Sequence, residues 1–404
     1  MTDGKDIFSV NKMTESKKND LSLHKNKRMI VERFLEHKIL KALKPNKVMM
    51  ILGPRRIGKT VLLKKIAETF DKKTLFLNGD DIQTSNLLAI RSEENYRKLL
   101  GGIQLLIIDE AQEISEIGHK LKLIVDTIEG IYVMVTGSSA FELNNQLGEP
   151  LVGRVSIFNM YPIAQIEFSK TENYLETHAL LEHRLIYGSY PELLHIESNL
   201  EKEKYLKELV YSYLLKDILA FEGIKKRDKI LSLLQIMAYR VGSEISLEGI
   251  GNELQISKNT VEKYLDLFSK VFIMYPVSGY SRNADNEITK KKKWYFIDNG
   301  IRNAIIQQFA PTTMREDIGK LWENYLNAER IKKLDYQDHQ VLSYFWRTKS
   351  HQEIDRLEEK DGKLTAYEYK WTETKAKIPP QFAKNYPDAI FNVIHRENYL
   401  DYIL

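Results

Sequence analysis

An α/β fold built around a parallel sheet follows from three features of the sequence. Four short apolar runs, at residues 48–52, 74–77, 105–109 and 131–136, have the length of buried strands. Stretches with apolar residues at helical spacing separate them, among them residues 60–70. A glycine-bounded turn joins the first run to its helix. Strands that alternate with helices make βαβ units, whose neighbouring strands run parallel.

The elements follow in order. Residues 1–28 are polar and lysine-rich with no apolar segment after them, which predicts a disordered leader and no secretory signal. Ile30, Phe34, Ile39 and Leu43 recur at helical spacing and predict a first helix over 29–43. Residues 154–160 read as a fifth strand, closed by Tyr161-Pro162. That completes an expected core over 29–162. Residues 163–224 are mostly helical, with a break at Gly188-Ser189-Tyr190-Pro191. A third part, 225–303, opens on the basic hinge Lys225-Lys226-Arg227. A last part, 304–404, is mixed, with a helix at 318–333 and strands near 342–347, 353–357 and 364–370.

Composition narrows the function classes. The chain has 404 residues, 43% of them hydrophobic, which suits two or three packed domains and excludes global disorder. Lys and Arg total 60 against 56 Asp and Glu, so the net charge of +4 marks no polynucleotide-binding surface over the whole protein. There is no cysteine, which excludes disulfides, thiolate zinc sites, iron–sulfur clusters and a cysteine nucleophile. The nine histidines form no HExxH pattern. No apolar run approaches the ~18 residues that span a bilayer. A cytoplasmic protein with no membrane partner is expected.

Chemistry concentrates in the turn after the first strand. Gly53-Pro54-Arg55-Arg56-Ile57-Gly58-Lys59-Thr60 matches G-x-x-x-x-G-K-[ST], with a strand before it and a helix over 60–70 after it, and these eight residues with Val61 are the expected nucleotide-binding residues. The glycines let backbone N–H groups curl around a phosphate at a helix N-terminus, which favours anions. Lys59 reaches the β- and γ-phosphates and Thr60 offers its hydroxyl to Mg²⁺. ATP and Mg²⁺ are the expected cofactors. Residues 105–108 are an apolar strand that ends in Asp109 and Glu110. Asp109 would hold Mg²⁺ through water, and Glu110 would polarise the attacking water as general base. Thr136 and Ser138 end another strand where a γ-phosphate sensor would sit, Ser138 first; a plain serine turn fits the same residues. Arg154 would serve as a finger in a neighbouring subunit's site, or is an ordinary surface arginine.

Together GPRRIGKT, LLIIDEAQEI, VTGSS, Gly153-Arg154 before VSIFNMYP, and YGSYPE resemble a family of bacterial and archaeal AAA+-type ATPases. The C-terminal half of that family is an uncharacterised domain with a restriction-endonuclease-like end. The likeness spans nearly everything from about Arg28 onward. It implies an ATPase core with a helical lid, in which Gly188 and Pro191 belong to a turn that packs near the adenine. A hexamer-like homo-oligomeric ring is the expected assembly.

The C-terminal half carries two further patterns. A helix over 245–253, the turn Gln255-Ile256-Ser257 and an amphipathic helix over 258–270 make a helix-turn-helix. Lys258, Asn259 and Lys263 would face outward toward nucleic acid, DNA by preference. Strands near 272–276 and 294–297 would form a wing whose tip, Lys290 to Lys293, offers Lys291 and Lys292 to phosphates. A solvated loop, or a winged helix used for interdomain packing, fits the same residues. Further on, Asp355 precedes Glu368 and Lys370, and residues two apart in a strand share a face. Asp355 and Glu368 would hold Mg²⁺, Lys370 would orient water, and Glu323 on the preceding helix would add a carboxylate. This Glu…Asp…Glu-x-Lys order resembles the PD-(D/E)xK nuclease core. Two departures stand out: charged Arg356, Glu358 and Glu359 in the strand after Asp355, and Trp371 where the family has a small residue. The expected function is an ATPase acting on nucleic acid through a winged helix and a Mg²⁺-dependent nuclease-like domain. The alternative is an ATP-dependent switch or motor whose C-terminal half is an inactive scaffold binding DNA or a protein.

Overall fold

The computed structural model describes residues 30–138, 151–214, 218, 227–280, 292–373 and 375–404. Contacts divide the chain into a short unit ending at Val31 and a large one, Glu32–Leu404, which carries every element below. Helix α1 (Phe34–Ala42) buries Leu35 and Ile39. Strand β1 (Val48–Leu52) leads through the glycine turn into α2 (Lys59–Phe70). Then come β2 (Thr74–Asn78), α3 (Ile82–Leu87, capped by Asp81) and α4 (Glu93–Leu99, capped by Ser92). Strand β3 (Leu105–Asp109), α5 (Ile117–Thr127), β4 (Tyr132–Gly137) and β5 (Val155–Asn159) complete the first layer.

These five strands form one parallel sheet in the order β2-β3-β4-β1-β5. The apolar runs are unbroken because both faces are covered. Met49 and Ile51 of β1, Leu105 and Ile107 of β3 and Met134 of β4 point into one core cluster. Val48, Met50, Leu52, Leu106, Ile108, Val133 and Val135 point into another on the opposite face. The period of two thus sorts each strand between two cores.

Helices α6 (Gln165–Phe168), α7 (Tyr174–Tyr187) and α8 (Asn199–Glu208) follow. Gly188 ends α7 at φ +74°, and any side chain there would strike the Asp298 carboxylate. That carboxylate accepts the Ser189 N–H at 2.8 Å. Helices α9 (Arg227–Tyr239), α10 (Leu247–Leu254) and α11 (Lys258–Lys270) precede the hairpin of β6 (Met274–Gly279) and β7 (Lys292–Phe296). Ser257 caps α11 by accepting the Thr260 N–H. Beyond lie α12 (Asn299–Ile305), the long α13 (Ile318–Tyr336), β8 (Leu342–Arg347), β9 (Glu353–Lys360) and β10 (Lys363–Tyr369). Helix α14 (Pro380–Asn385), β11 (Ile390–Ile394) and α15 (Tyr399–Ile403) end the chain.

The second sheet runs β11-β10-β9-β8-β6-β7. Its β6 pairs with β8 in parallel, through Ser278 opposite Tyr344 and Gly279 opposite Phe345. The hairpin expected as a wing is therefore also the edge of the sheet formed by residues after 304. Both departures noted in the sequence have physical accounts here. Arg356 is 1% exposed, yet it donates to Glu358, Asn327 and Ser343, and Arg330 holds the other Glu358 oxygen at 2.7 Å. A fully paired buried network tolerates charges that an unpaired strand would not. Trp371 packs edge-on against the fully buried Trp322 of α13, with the Arg396 guanidinium over its ring. Among the described residues no helix is long and apolar enough to cross a membrane.

Leu63 of α2 is fully buried in the core cluster between that helix and the sheet. Leu63→Ala is expected to lower stability by about 2–5 kcal/mol, read as a shift in the urea midpoint.

Candidate functional site

The turn between β1 and α2 is shaped by backbone that only glycine supports well. Gly58 sits at φ +94°, and Gly53 lies so close to the Met160 carbonyl that a side chain would collide with it. Lys59 is 4% exposed, and its ammonium donates to the carbonyls of Gly53 (2.8 Å) and Pro54 (2.9 Å). Ile57 is fully buried and shares its core cluster with Tyr190 and Leu193, which flank Pro191 in a short 3-10 turn. Arg56 is in left-handed backbone at φ 63°, Arg55 lies 4.0 Å from Glu113, and Val61 is exposed on α2.

The C-terminal edge of the sheet brings three chain segments to one carboxylate. Thr60 Oγ1 donates to Asp109 Oδ2 at 2.5 Å, and Thr136 Oγ1 donates to Asp109 Oδ1. Thr136 Oγ1 in turn accepts the Glu110 N–H at 3.0 Å. Glu110 adopts φ 49°, which turns its side chain away from the strand direction. Its Oε2 accepts from Gln112 Nε2 at 2.6 Å, and the same amide lies 3.3 Å from Ser138 Oγ. Loop, Thr60, Asp109, Glu110, Thr136 and Ser138 are therefore one constellation. Thr136, the second choice from sequence, is the residue that touches Asp109, while Ser138 Oγ lies 3.3 Å from the Gln112 amide that holds Glu110. The donors beside the loop are hydroxyl and carboxylate oxygens, the hard ligands Mg²⁺ takes.

Arg154 is not brought to this edge. It precedes β5, whose Val155 pairs with Val48 at the start of β1, and it forms a 2.7 Å ion pair with Asp126. It therefore lies at the opposite end of the sheet from its own chain's loop.

Arg33, unmarked in the sequence, braces the loop from behind. It donates to the carbonyls of Ile57 (2.6 Å) and Tyr161 (2.6 Å) and to Glu167 Oε1 (3.0 Å). Burial opposes its charge, but the Glu167 carboxylate and the Tyr336 hydroxyl together hold its pKa up. Glu167 also accepts the N–H groups of Phe34 and Ala164, at 2.8 and 2.9 Å. No local pattern could have found Arg33, because its partners lie 24 to 134 residues away.

A second constellation lies on the other sheet. Asp355 on β9 accepts the Tyr369 N–H at 2.8 Å, and Glu368 on β10 pairs with Lys370 at 2.7 Å. Glu323 on α13 accepts from Tyr295 at 2.6 Å and lies 3.4 Å from Lys293. Burial and the neighbouring Glu323 and Glu368 carboxylates push Asp355 well above the usual carboxylate range. Burial likewise raises Glu323. For Lys370, burial opposes the charge, but the hydrogen bond and charge of Glu368 together with the Asp355 and Glu323 carboxylates raise its pKa. The four residues expected from the sequence are thus close enough to sense one another. Among the described residues, no group of three or more His, Cys, Asp or Glu side chains is placed to hold a metal ion. Asp355 and Glu368 make two carboxylates, a set that Mg²⁺ accepts when water or phosphate supplies the rest.

On α11, Lys258, Asn259 and Lys263 are exposed while Val261, Leu265 and Phe268 are buried, as the helical spacing predicts. Lys292 is exposed at the start of β7, and Lys291 lies outside the described residues. Lys293 corrects the reading of that run as a cationic tip. It points inward, is 2% exposed, and meets Glu323 and Glu353, because side chains alternate along β7.

Three family models match successive stretches of the chain: an AAA domain at residues 45–169, a domain of unknown function (DUF8612) at 178–312 and another (DUF4143) at 318–397. The chain is 26% identical over 309 residues to an uncharacterized protein of Haemophilus influenzae, covering 69% of this chain and 71% of that one. It is 25% identical over 374 residues to an uncharacterized protein of Methanocaldococcus jannaschii, covering 87% and 81%. A solved RuvB mutant of Thermotoga maritima aligns at 15% identity over 61% of this chain and 88% of that one, with a TM-score of 0.32. The AAA match contains β1 to β5, the loop and Asp109, and supports an AAA-type P-loop domain that binds nucleotide.

Arg33→Met would strand the fully buried Glu167 without its cation. It is expected to cost about 3–5 kcal/mol in urea unfolding, and Arg33→Met with Glu167→Gln should recover part of that loss.

Proposed function

We propose that this protein is an ATP hydrolase whose C-terminal half acts on nucleic acid. The observation that carries the first part is the carboxylate of Asp109 held between Thr60 and Thr136, directly beside the loop. The loop N–H groups and Lys59 bind the phosphates. Thr60 and Asp109 hold Mg²⁺, which when bound neutralises charge on the transferred phosphoryl group. Glu110 orients water and takes its proton; Gln112 keeps that carboxylate in place and links it to Ser138. Gly188 and Pro191 form a turn near the base. Arg154, remote from its own loop, serves a neighbouring copy in a ring, if it serves any nucleotide at all.

In the second part, α10, α11 and the β6–β7 hairpin act as a winged helix, with Lys258, Asn259, Lys263, Lys291 and Lys292 toward the phosphates of DNA. Glu323, Asp355, Glu368 and Lys370 form a PD-(D/E)xK-like site in which Asp355 and Glu368 hold Mg²⁺. Lys370 supports the attacking water or the developing phosphate charge. The cross-strand placement of Asp355 and Glu368 beside Lys370 favours this over an inactive scaffold. The division at 28, 162, 224 and 303 is one of functional segments, and its last three boundaries fall inside the unit Glu32–Leu404.

The test is a paired assay on the full chain with Mg²⁺, following ATP hydrolysis and cleavage of labelled single- and double-stranded DNA. Glu110→Gln should bind ATP normally and hydrolyse it about 10²–10⁴-fold more slowly. Lys370→Ala should lose cleavage and retain hydrolysis. Hydrolysis without cleavage in the unsubstituted chain would leave the C-terminal half as a binding module. Unchanged turnover in Glu110→Gln would remove the assigned base.

A further inference from the structure

A cleft of about 800 Å³ at the start of α13 has no part in the reading above; Tyr239, Arg302, Asp317, Gly319 and Lys320 line it. Two buried arginines meet there over one carboxylate. Arg315 donates through Nε and Nη2 to the two Asp317 oxygens, both at 2.9 Å, and through Nη1 to the Gln308 carbonyl at 2.7 Å. Arg302, 1% exposed, is only partly engaged. Its Nε donates to the Ala238 carbonyl (2.8 Å), and its Nη1 to Asp317 Oδ2 (2.5 Å) and Asn303 Oδ1 (3.1 Å). Its Nη2 donates to nothing among the described residues and is not sealed from solvent, so it opens on the cleft. Burial disfavours the Arg302 charge, and Asp317 does not make up the loss, so its pKa lies below the usual arginine range. The same Asp317 precedes α13, where a carboxylate would ordinarily cap the helix. Held by the arginines, it caps nothing. The Leu321 N–H is the first to bond, to the Asp317 carbonyl at 3.0 Å, and the N–H groups of Ile318, Gly319 and Lys320 find no acceptor among the described residues. A Cβ on Gly319 would meet nothing within 4 Å, so no side chain covers this end of the helix. Lys320 is exposed beside it and makes no ion pair among the described residues.

We infer that this cleft binds the phosphate of a nucleotide as a monoester, at a site separate from the glycine loop. The phosphate takes the first-turn N–H groups of α13 and the Arg302 Nη2, with Lys320 at the rim. The contact to Asp317 sets Arg302 against the start of the helix, so the two kinds of donor converge. Glu316 is an exposed acid on the same rim, but Arg302, Arg315 and Lys320 outnumber Asp317 and Glu316. The cleft is far larger than a phosphate, and Tyr239, 62% exposed on its wall, offers a ring on which a base can stack. A free nucleotide and the 5′ end of a nucleic-acid strand both carry this chemistry. The site stands on the cleft alone; only the strand-end source rests on the nucleic-acid reading above.

The test uses the full chain in EDTA without ATP. One arm follows the fluorescence anisotropy of a short single-stranded DNA, labelled at its 3′ end, that carries either a 5′-phosphate or a 5′-hydroxyl. The other measures adenosine monophosphate binding by calorimetry. Gly319→Asp sets a carboxylate where the phosphate would lie; the position is open and an acid in the first turn suits a helix, so the fold is kept. ATP hydrolysis at the loop should be unchanged in this variant, so only binding that it weakens belongs to the cleft. A preference of about tenfold for the 5′-phosphate, lost in Gly319→Asp and reduced in Lys320→Ala, supports the site and assigns it to strand ends. Monophosphate binding that weakens about tenfold in Gly319→Asp, with no strand preference, supports the site and assigns it to free nucleotides. If neither signal exists, or both survive Gly319→Asp unchanged, the inference is overturned. Binding of the 5′-hydroxyl strand reports on the nucleic-acid reading separately.

Discussion

The Asp109 carboxylate is the point on which the first site depends. It accepts hydroxyls from α2 and β4 while sitting at the end of β3. That meeting requires the strand order β2-β3-β4-β1-β5, because β4 must lie between β3 and β1 for Thr136 to stand between Asp109 and the loop. The order is itself held by burial on both faces, with Ile107, Met134 and Ile51 on one side and Ile108, Val135 and Leu52 on the other. Open parallel sheets place ligands beyond the carboxyl ends of their strands. Here the edge gains specificity from two hydroxyls and one buried acid.

The same body carries the second site, and α13 joins the two. Its C-terminal end meets the loop's support: Tyr161 donates its hydroxyl to Asp335 at 2.9 Å, and the Tyr161 N–H donates to the Tyr336 hydroxyl at 3.2 Å. Tyr161 is also the residue whose carbonyl Arg33 holds. Nearer its N-terminal end α13 carries Glu323. From Glu323 to Tyr336 the helix rises roughly 20 Å at about 1.5 Å per residue. The loop and the acidic constellation are therefore tied to opposite ends of one continuous helix.

Local pattern made the first sheet legible and left the second partly hidden. Strands β1 and β3 and the glycine turn announce themselves because each is a short unbroken apolar run with a fixed chemical ending. The limits of α11 and β8 were equally visible from spacing alone. What spacing could not reveal was pairing across distance. Nothing in residues 274–279 indicates that β6 lies beside β8, more than 60 residues on. Arg356 and Glu358 look wrong for a buried strand until Arg330 and Asn327 of α13 are placed against them. Lys293 looks like the last member of an exposed basic run until the alternation along β7 turns it inward. Arg33 and Glu167 look like ordinary surface charges until the fold brings them together. In each case the missing information is a partner far away in the chain, which charge and hydropathy patterns do not encode.

Glu110 is held at the edge of the first site by its backbone as well as by its side chain. A glutamate in left-handed backbone is uncommon, and it persists only where its surroundings hold it. Here they do so from both sides. Thr136 accepts its N–H at 3.0 Å, and Gly79, with no side chain, packs directly on its carbonyl. The turn sets the Glu110 carboxylate where Gln112 can hold it at 2.6 Å, over the same edge as Thr60 and Ser138. The left-handed backbone of Glu110 thus sets its carboxylate at the edge where Asp109, Thr60 and Ser138 meet, and the proposed role of Glu110 as general base rests on that placement.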